Sequence, residues 1–135
     1  MTRQEIFAGV CKCLAVVLDV PAESVREEQR LIGDLEADSL DLLDLTFHLE
    51  KEFGVKISPR DIERRAKEKL GGQPFTVDGK FTADALLELK AAMPEVPPEE
   101  FSGGLAADAL PRRLRVATMV NLVARLLEES KRAGQ

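Results

Sequence analysis

The sequence predicts a mainly α-helical protein: an antiparallel helical bundle with a large insertion between its second and last helices, the insertion carrying a small β-hairpin. Three observations predict this. Apolar residues recur at helical spacing over residues 6–17, 42–53 and 116–127. Capping or terminating residues bound these stretches. Between residues 63 and 112 the helical pattern gives way to Gly, Pro and short runs of strand formers. A length of 135 residues suits one domain, so residues 63–112 are expected to be an insertion within a single domain spanning 1–135.

The elements follow in order. Thr2-Arg3-Gln4-Glu5 has the capping-box pattern of a helix start. Ile6, Val10, Cys13, Leu14 and Val17 then form one apolar stripe, and Pro21 is expected to end the helix. Residues 19–37 read as a long connection with a short turn at Pro21 to Ser24, a turn signal at Gly33-Asp34, and buried anchors at Val25, Leu31, Ile32 and Leu35. Asp38 is a good N-cap for a second helix that runs to Phe53 and is terminated by Gly54. Its residues Leu42, Leu45, Leu49 and Phe53 are expected to face the core. Leu40, Leu43 and Phe47 make a second stripe, more apolar surface than one core face needs. Either that stripe packs under another part of the chain, or it is the apolar centre of a partner site rimmed by Asp41, Asp44 and Glu50.

Ser58-Pro59-Arg60-Asp61 is a further helix start, with Ser58 as cap and Pro59 first in the helix, and Gly71-Gly72 is its stop. Phe75 to Thr82 reads as a hairpin turning at Asp78-Gly79. A hairpin this small must lean on something. Thr82 can cap a helix through Met93, with Leu86, Leu87 and Leu89 apolar, before Pro94, Pro97 and Pro98 break it. Phe101 to Gly104 is expected to be a loop, and Leu105 to Leu110 one helical turn before Pro111. The last helix shows Val116, Met119, Val120, Val123 and Leu127 on one stripe and is expected to fray from Lys131 to Gln135. Phe75, Phe81, Leu86, Leu89 and Phe101 are too apolar for a linker, so the insertion is expected to fold onto the bundle.

Composition narrows the function. Lys plus Arg number 19 and Asp plus Glu 24, a net charge of −5, and there is neither Trp nor Tyr. That argues against nucleic-acid binding, which needs a basic footprint and stacking platforms. Two Cys and one His exclude a disulfide scaffold and a His-based zinc site. No stretch reaches the length of a membrane span. The apolar N-terminal region is broken by Lys12, follows Glu5 and lacks a cleavage site, so it reads as an amphipathic helix and not a signal peptide. A cytoplasmic protein, not inserted in a membrane, is the expectation. Residues 1–62 carry a net −6 and residues 113–135 a net +3. Asp34, Glu36, Asp38, Asp41, Asp44, Glu50 and Glu52 crowd one stretch that only Lys51 opposes. Such a run is ordinarily a solvated face; it also suits docking of basic partner proteins.

No set of residues makes a self-sufficient active site, so an enzyme is not expected. Ser39 sits at the start of the second helix, but the one His, His48, is nine residues on, roughly 180° round and ~13 Å along the same helix. Cys11 and Cys13 diverge on their helix and cannot bridge without strain, and Cys13 lies on the core stripe. The acids lack the spacing of a calcium loop, and Gly71-Gly72 is not followed by the Lys-Ser/Thr of a phosphate loop. A hydroxyl at a helix start is, however, well placed to be modified by another enzyme. Free backbone N–H groups and the helix dipole favour a phosphate there. Asp38 and Asp41 oppose it, so partner docking explains those two acids better.

Leu31-Ile32-Gly33-Asp34-Leu35-Glu36-Ala37-Asp38-Ser39-Leu40-Asp41, followed by Leu49-Glu50-Lys51-Glu52-Phe53-Gly54-Val55-Lys56-Ile57, resembles the acyl carrier protein family. The resemblance covers about residues 3–62 and 113–130. It implies that Ser39 carries 4′-phosphopantetheine, transferred from coenzyme A by a phosphopantetheinyl transferase (the holo-synthase), and that the arm's thiol holds acyl groups as thioesters. Asp38 would help the transferase recognise the site. Glu36, Leu40, Asp41, Leu43, Asp44, Phe47 and Glu50 would dock the transferase and acyl-handling enzymes of the synthetase, ketosynthase and acyltransferase types, with the protein a monomer. Residues 38–44 and 51–57 are similar to the specialised carriers that deliver very long or hydroxylated acyl chains to lipid A, which implies a role in lipopolysaccharide or other unusual fatty-acid biosynthesis. Polyketide or amino-acyl carriage, and an unmodified carrier-like interaction module, are the alternatives. Three departures from the family stand out: Glu36 where Gly is frequent, Lys51 where an acid is common, and the long insertion in place of a short third helix.

Overall fold

The computed structural model describes residues 1–58 and 60–133. The chain forms two compact units, Met1–Ile57 with Arg115–Gln135, and Ser58–Leu114. The second brackets the expected insertion.

The first unit packs three helices on one another: α1 (Arg3–Leu18), α2 (Ser39–Phe53) and, numbered in chain order, α5 (Val116–Ala133). The capping box that opens α1 is formed: Glu5 N donates to Thr2 Oγ1 at 3.1 Å and Thr2 N to Glu5 Oε1 at 2.7 Å. Ile6, Val10, Cys13 and Leu14 are buried as the stripe requires, Val17 only partly. The helix stops ahead of Pro21, at Asp19, whose φ of 56° is left-handed. Proline excludes the helical conformation for the residue before it, so the chain must leave the helix earlier, and Asp tolerates that turn. Leu45, Leu49 and Phe53 of α2 are buried against this face, with Leu42 half-buried. Gly9 lets the helices approach, because a Cβ there would run into the end of the Phe53 ring.

The connection between α1 and α2 is irregular but tied down. A 3-10 turn spans Ala22–Ser24. Val25, Leu31 and Ala37 are buried, whereas Ile32 and Leu35, expected anchors, are half-buried. Its carbonyls serve α5: Val116 N donates to Gln29 O and Ala117 N to Glu27 O, each at 2.9 Å. Those are two of the donors that a helix start leaves without a partner. Val116, Met119, Val120 and Val123 are buried and Leu127 half-buried. The helix persists to Ala133, beyond the expected onset of fraying at Lys131. Successive helical hydrogen bonds cost no new nucleation, which lets a helix outlast its apolar stripe. Gly134 and Gln135 lie outside the described residues.

The second unit holds α3 (Asp61–Lys69), β1 (Thr76–Val77), β2 (Lys80–Phe81) and α4 (Ala83–Ala92), then 3-10 turns at Pro98–Phe101 and Ala107–Arg113. It has a core of its own, in which Phe75, Phe81, Leu86, Leu89, Met93 and Phe101 are buried together. The rings of Phe75 and Phe81 meet edge to face with centroids 5.3 Å apart. The hairpin turns at Asp78 and Gly79, with φ of 54° and 78°, the pair of left-handed residues that suits strand twist. It leans on the following chain: Phe81 N donates to Leu105 O at 3.0 Å and Ala107 N to Gly79 O at 2.8 Å. Thr82 caps α4, accepting from Ala85 N at 3.1 Å.

Three local expectations need correction. Ser58 does not cap α3; the residue before the helix is Arg60, left-handed at φ 54° with no side-chain cap. Asp61 takes over the N-terminal charge: its buried carboxylate accepts from Arg64 Nη2 at 2.8 Å and Arg65 Nε at 2.6 Å, and an acid in the first turn suits the helix dipole. The expected first helical residue, Pro59, lies outside the described residues. Phe101 closes a 3-10 turn and so is not in a loop. Pro111 lies inside a 3-10 turn instead of after it, since its fixed φ fits such a turn. Leu87, one of the apolar residues of α4, is 62% exposed, which the sequence left open.

Substituting Gly9→Ala should destabilise the protein. Overpacking against Phe53 costs ~1–3 kcal/mol, which outweighs the ~1 kcal/mol that Ala gains over Gly in helix propensity. Urea denaturation of the variant should show a lower midpoint, restored when Phe53→Leu is added.

Candidate functional site

The start of α2 is where sequence and structure converge. Asp38 is extended (φ −109°, ψ −177°), and its Oδ1 accepts from Asp41 N at 2.8 Å. Asp41 reaches back, its Oδ2 accepting from Asp38 N at 3.0 Å. The sequence identified Asp38 as the cap; the return arm from Asp41 was missed, although an acid three residues after a cap is the signal for it. Ser39 is the first helical residue. It is exposed, and its hydroxyl makes no hydrogen bond to any described residue. Just before it, Ala37 is buried and its N–H donates to Leu31 O at 2.9 Å, which fixes the chain's entry. Glu36 takes a φ of 60°. The position where the family frequently has Gly is therefore one that a side chain strains.

The surrounding acids divide by what they hold. Asp34 accepts from Arg30 N at 2.8 Å and closes the turn before the site. Glu50 accepts from Ile57 N at 2.7 Å and ties down the chain leaving α2. Glu52 pairs with Lys12 at 3.4 Å. Asp44 is exposed and faces His48, its Oδ1 3.7 Å from Nε2. Leu40, Leu43 and Phe47 are 76%, 50% and 58% exposed. The second stripe of α2 is therefore not covered within its own unit.

Neither thiol is available for chemistry. Cys11 and Cys13 are both free and buried, so Cys11, which lies off the expected stripe, is buried as well. Burial, reinforced by nearby Glu52, pushes the Cys13 thiol up to about 11. Burial, with Glu27, pushes Cys11 up as well. Among the described residues, no group of three or more His, Cys, Asp or Glu side chains could hold a metal ion, and no helix is long and apolar enough to cross a membrane.

Residues 8–66 match a family model described as a phosphopantetheine attachment site. An acyl carrier protein from Thermotoga maritima is 48% identical over 63 residues, which cover 47% of this chain and 78% of that protein. One from Petrotoga mobilis is 39% identical over 64 residues, 47% of this chain and 75% of its own. The acyl carrier protein AcpXL of Mesorhizobium japonicum is 35% identical over 72 residues, 53% of this chain and 74% of its own.

Glu36→Gly should raise stability by up to about 1 kcal/mol, because relief of the left-handed strain exceeds the extra entropy of the unfolded chain; Glu36→Val should lower it, both read by urea denaturation. The thiols give a second test. With the folded Cys13 thiol near 11 and an ordinary value of 9.0, about one molecule in a thousand carries the thiolate at pH 8. Iodoacetamide should leave the native apo protein unlabelled and modify both cysteines once it is unfolded. Above pH 9 the unfolded chain ionises first and holds fewer protons than the folded one, so stability should fall as pH rises from about 9 to about 11.

Proposed function

Because the chain belongs to the acyl carrier protein family, we propose that Ser39 is the residue to which its 4′-phosphopantetheine is joined. The family's group is covalently held, and its thiol carries acyl chains as thioesters. One observation carries the assignment to Ser39: the hydroxyl is exposed and unengaged at the first position of α2, between two carboxylates already committed to backbone N–H groups. It can enter another enzyme's active site without unfolding its own helix. The site supplies no base of its own. Asp38 and Asp41 are occupied as caps, and His48 lies too far along α2. Deprotonation of the serine is therefore left to a phosphopantetheinyl transferase, and the chain acts as a carrier, not an enzyme.

Leu40, Leu43 and Phe47 are the apolar centre of the surface that meets the transferase and acyl-handling enzymes, with Glu36, Asp41, Asp44 and Glu50 as its charged rim. Glu50 contributes less freely, since it also holds Ile57 N. Asp38 presents the serine. The likeness of residues 38–44 and 51–57 to specialised carriers supports a role in delivering hydroxylated or very long acyl chains to lipid A. A cytoplasmic monomer fits that role.

Intact-mass measurement tests this. After incubation with coenzyme A and a phosphopantetheinyl transferase, the wild-type chain should gain one phosphopantetheine and Ser39→Ala none. A thiol reagent should find one fast-reacting group in the loaded protein and none in the native apo form. No mass gain, or a gain that survives Ser39→Ala, defeats the assignment. The acyl group on protein recovered from its own cells should be hydroxylated or very long; an ordinary chain would defeat the lipid A reading alone.

A further inference from the structure

Among the described residues, four other than glycine hold the left-handed backbone conformation: Asp19, Glu36, Arg60 and Asp78. Aspartate tolerates that conformation because its short side chain can bond locally. Arg60 has the Glu63 carboxylate within its field. Neither account serves Glu36, at φ 60°. Its side chain is long and exposed, caps no helix and has no hydrogen-bond or ion-pair partner among the described residues. The fold demands the turn at this position, since Ala37 must go under the bundle and Asp38 to the helix, but it does not demand glutamate. Glycine would make the same turn without strain. A strained residue whose side chain does nothing for the fold points to a use outside it. Its surroundings say which use. Ala37 N donates to Leu31 O at 2.9 Å and Asp38 shares the reciprocal cap with Asp41, so the chain from Glu36 to Ser39 is held in place. Three residues of chain keep the two α-carbons within about 11 Å of each other. Asp38 and Asp41 accept from backbone N–H groups, and Asp34 accepts from Arg30 N and lies 3.7 Å from Arg30 Nε. Of the acids from Asp34 to Asp41, Glu36 is the one that no described residue engages.

We propose that Glu36 is a specificity-determining residue for loading: it selects a phosphopantetheinyl transferase that presents an arginine or lysine against the loop ahead of α2. The inference rests on the assignment of Ser39. In the transfer the serine oxygen bonds to the pantetheine-bearing phosphorus of coenzyme A, the bond from that phosphorus to the second phosphate breaks, 3′,5′-ADP leaves, and the serine proton passes to a base of the transferase. Glu36 touches none of these atoms. Its charge acts on encounter and on holding the complex together. The transferase is the partner it serves because that enzyme must cover the Ser39 hydroxyl, and residue 36 with it; an enzyme that acts on the thiol meets the far end of the arm. A carboxylate on a backbone already fixed also spares the partner the cost of ordering the loop.

Loading kinetics with coenzyme A test this, using the transferase from the cells that make this protein and, as control, a transferase of broad carrier range. Glu36→Gln keeps the side chain and the strain and removes the charge; Glu36→Gly removes all three. With the cell's own transferase both should raise KM for the carrier at least about threefold with kcat unchanged, while Glu36→Asp stays within about twofold of wild type. The difference should shrink as salt is raised. Glu36→Gly should thus be the more stable protein and the poorer substrate, a combination that a structural role would not produce. The broad-range transferase should load wild type and all three variants alike, since Ser39 is presented equally in each. The inference is overturned if Glu36→Gln loads as wild type does, if Glu36→Gly alone is impaired, if the loss falls on kcat, or if the broad-range enzyme loses as much as the cell's own, which would make residue 36 a positioning residue for the serine. If neither enzyme loads the wild-type chain, the assignment of Ser39 fails, and this inference with it.

Discussion

Asp38 and Asp41 each hold the other's backbone N–H, and this reciprocal cap determines where α2 begins. The burial of Leu45, Leu49 and Phe53 determines how the helix is rotated. Together the two constraints leave no freedom to the residues between and beside them. Ser39 falls on the first turn with its hydroxyl outward, and Leu40, Leu43 and Phe47 are turned away from the core. Neither constraint would suffice alone. A rigid cap without the buried stripe would fix the start but not the face, because each residue advances the face by about 100°. A buried stripe without the cap would leave the first turn, and the serine on it, free to unwind.

The same economy governs the irregular connection that delivers the chain to this cap. A segment without regular structure from residue 25 to 37 would ordinarily be mobile. Here Leu31 is fully buried, and the carbonyls of Glu27 and Gln29 serve as partners for the first N–H groups of α5. Loop and helix start satisfy each other, and Thr118 Oγ1 adds a side-chain partner by accepting from Arg115 N at 3.0 Å. The cost appears at Glu36, where the chain must turn through a left-handed residue to bring Ala37 under the bundle and Asp38 to the helix. A strained residue persists when its surroundings over-determine it, and burial on one side with a cap on the other does so.

Much of this was legible because the deciding interactions are local. The pairs Thr2 with Glu5, Asp38 with its helix, Gly54, Asp78-Gly79 and Thr82 each act within four residues, and each fell where the sequence put it. The misses share a different cause. Ser58 looked like a cap, but Asp61 found two arginines in the next turn and took the electrostatic role without one. Pro111 looked like a stop, but a 3-10 turn accommodates it. Cys11 sat off the expected stripe, yet a helix packed against two others buries a wider face than one stripe. The second stripe of α2 was ambiguous for the same reason, since spacing alone does not say whether a neighbour covers it. The second unit resolves its own apolar residues internally: Phe75, Phe81 and Phe101 bury one another.

The acids of α2 show that a structural role and a steering role are compatible. A carboxylate that accepts a backbone N–H keeps its full charge, so Asp38, Asp41 and Glu50 hold the fold and still contribute to the field that residues 1–62 present. Accounting for these acids as caps therefore does not remove them from the docking surface proposed for this helix; it makes that surface rigid, which spares a partner the cost of ordering them. Asp44 differs. It is exposed and holds nothing but a distant His48, so its charge serves no cap and its removal would cost the fold little. Lys51, the departure from the family's acidic pattern, lies in the last turn of α2, where a cation suits the carbonyl end of the helix dipole. The first turn is charged as the dipole prefers; in the last turn Lys51 is outnumbered by Glu50 and Glu52. What remains without a structural reason is the middle, where Leu43, Asp44 and Phe47 stand in water; these are the residues that the proposed docking surface uses.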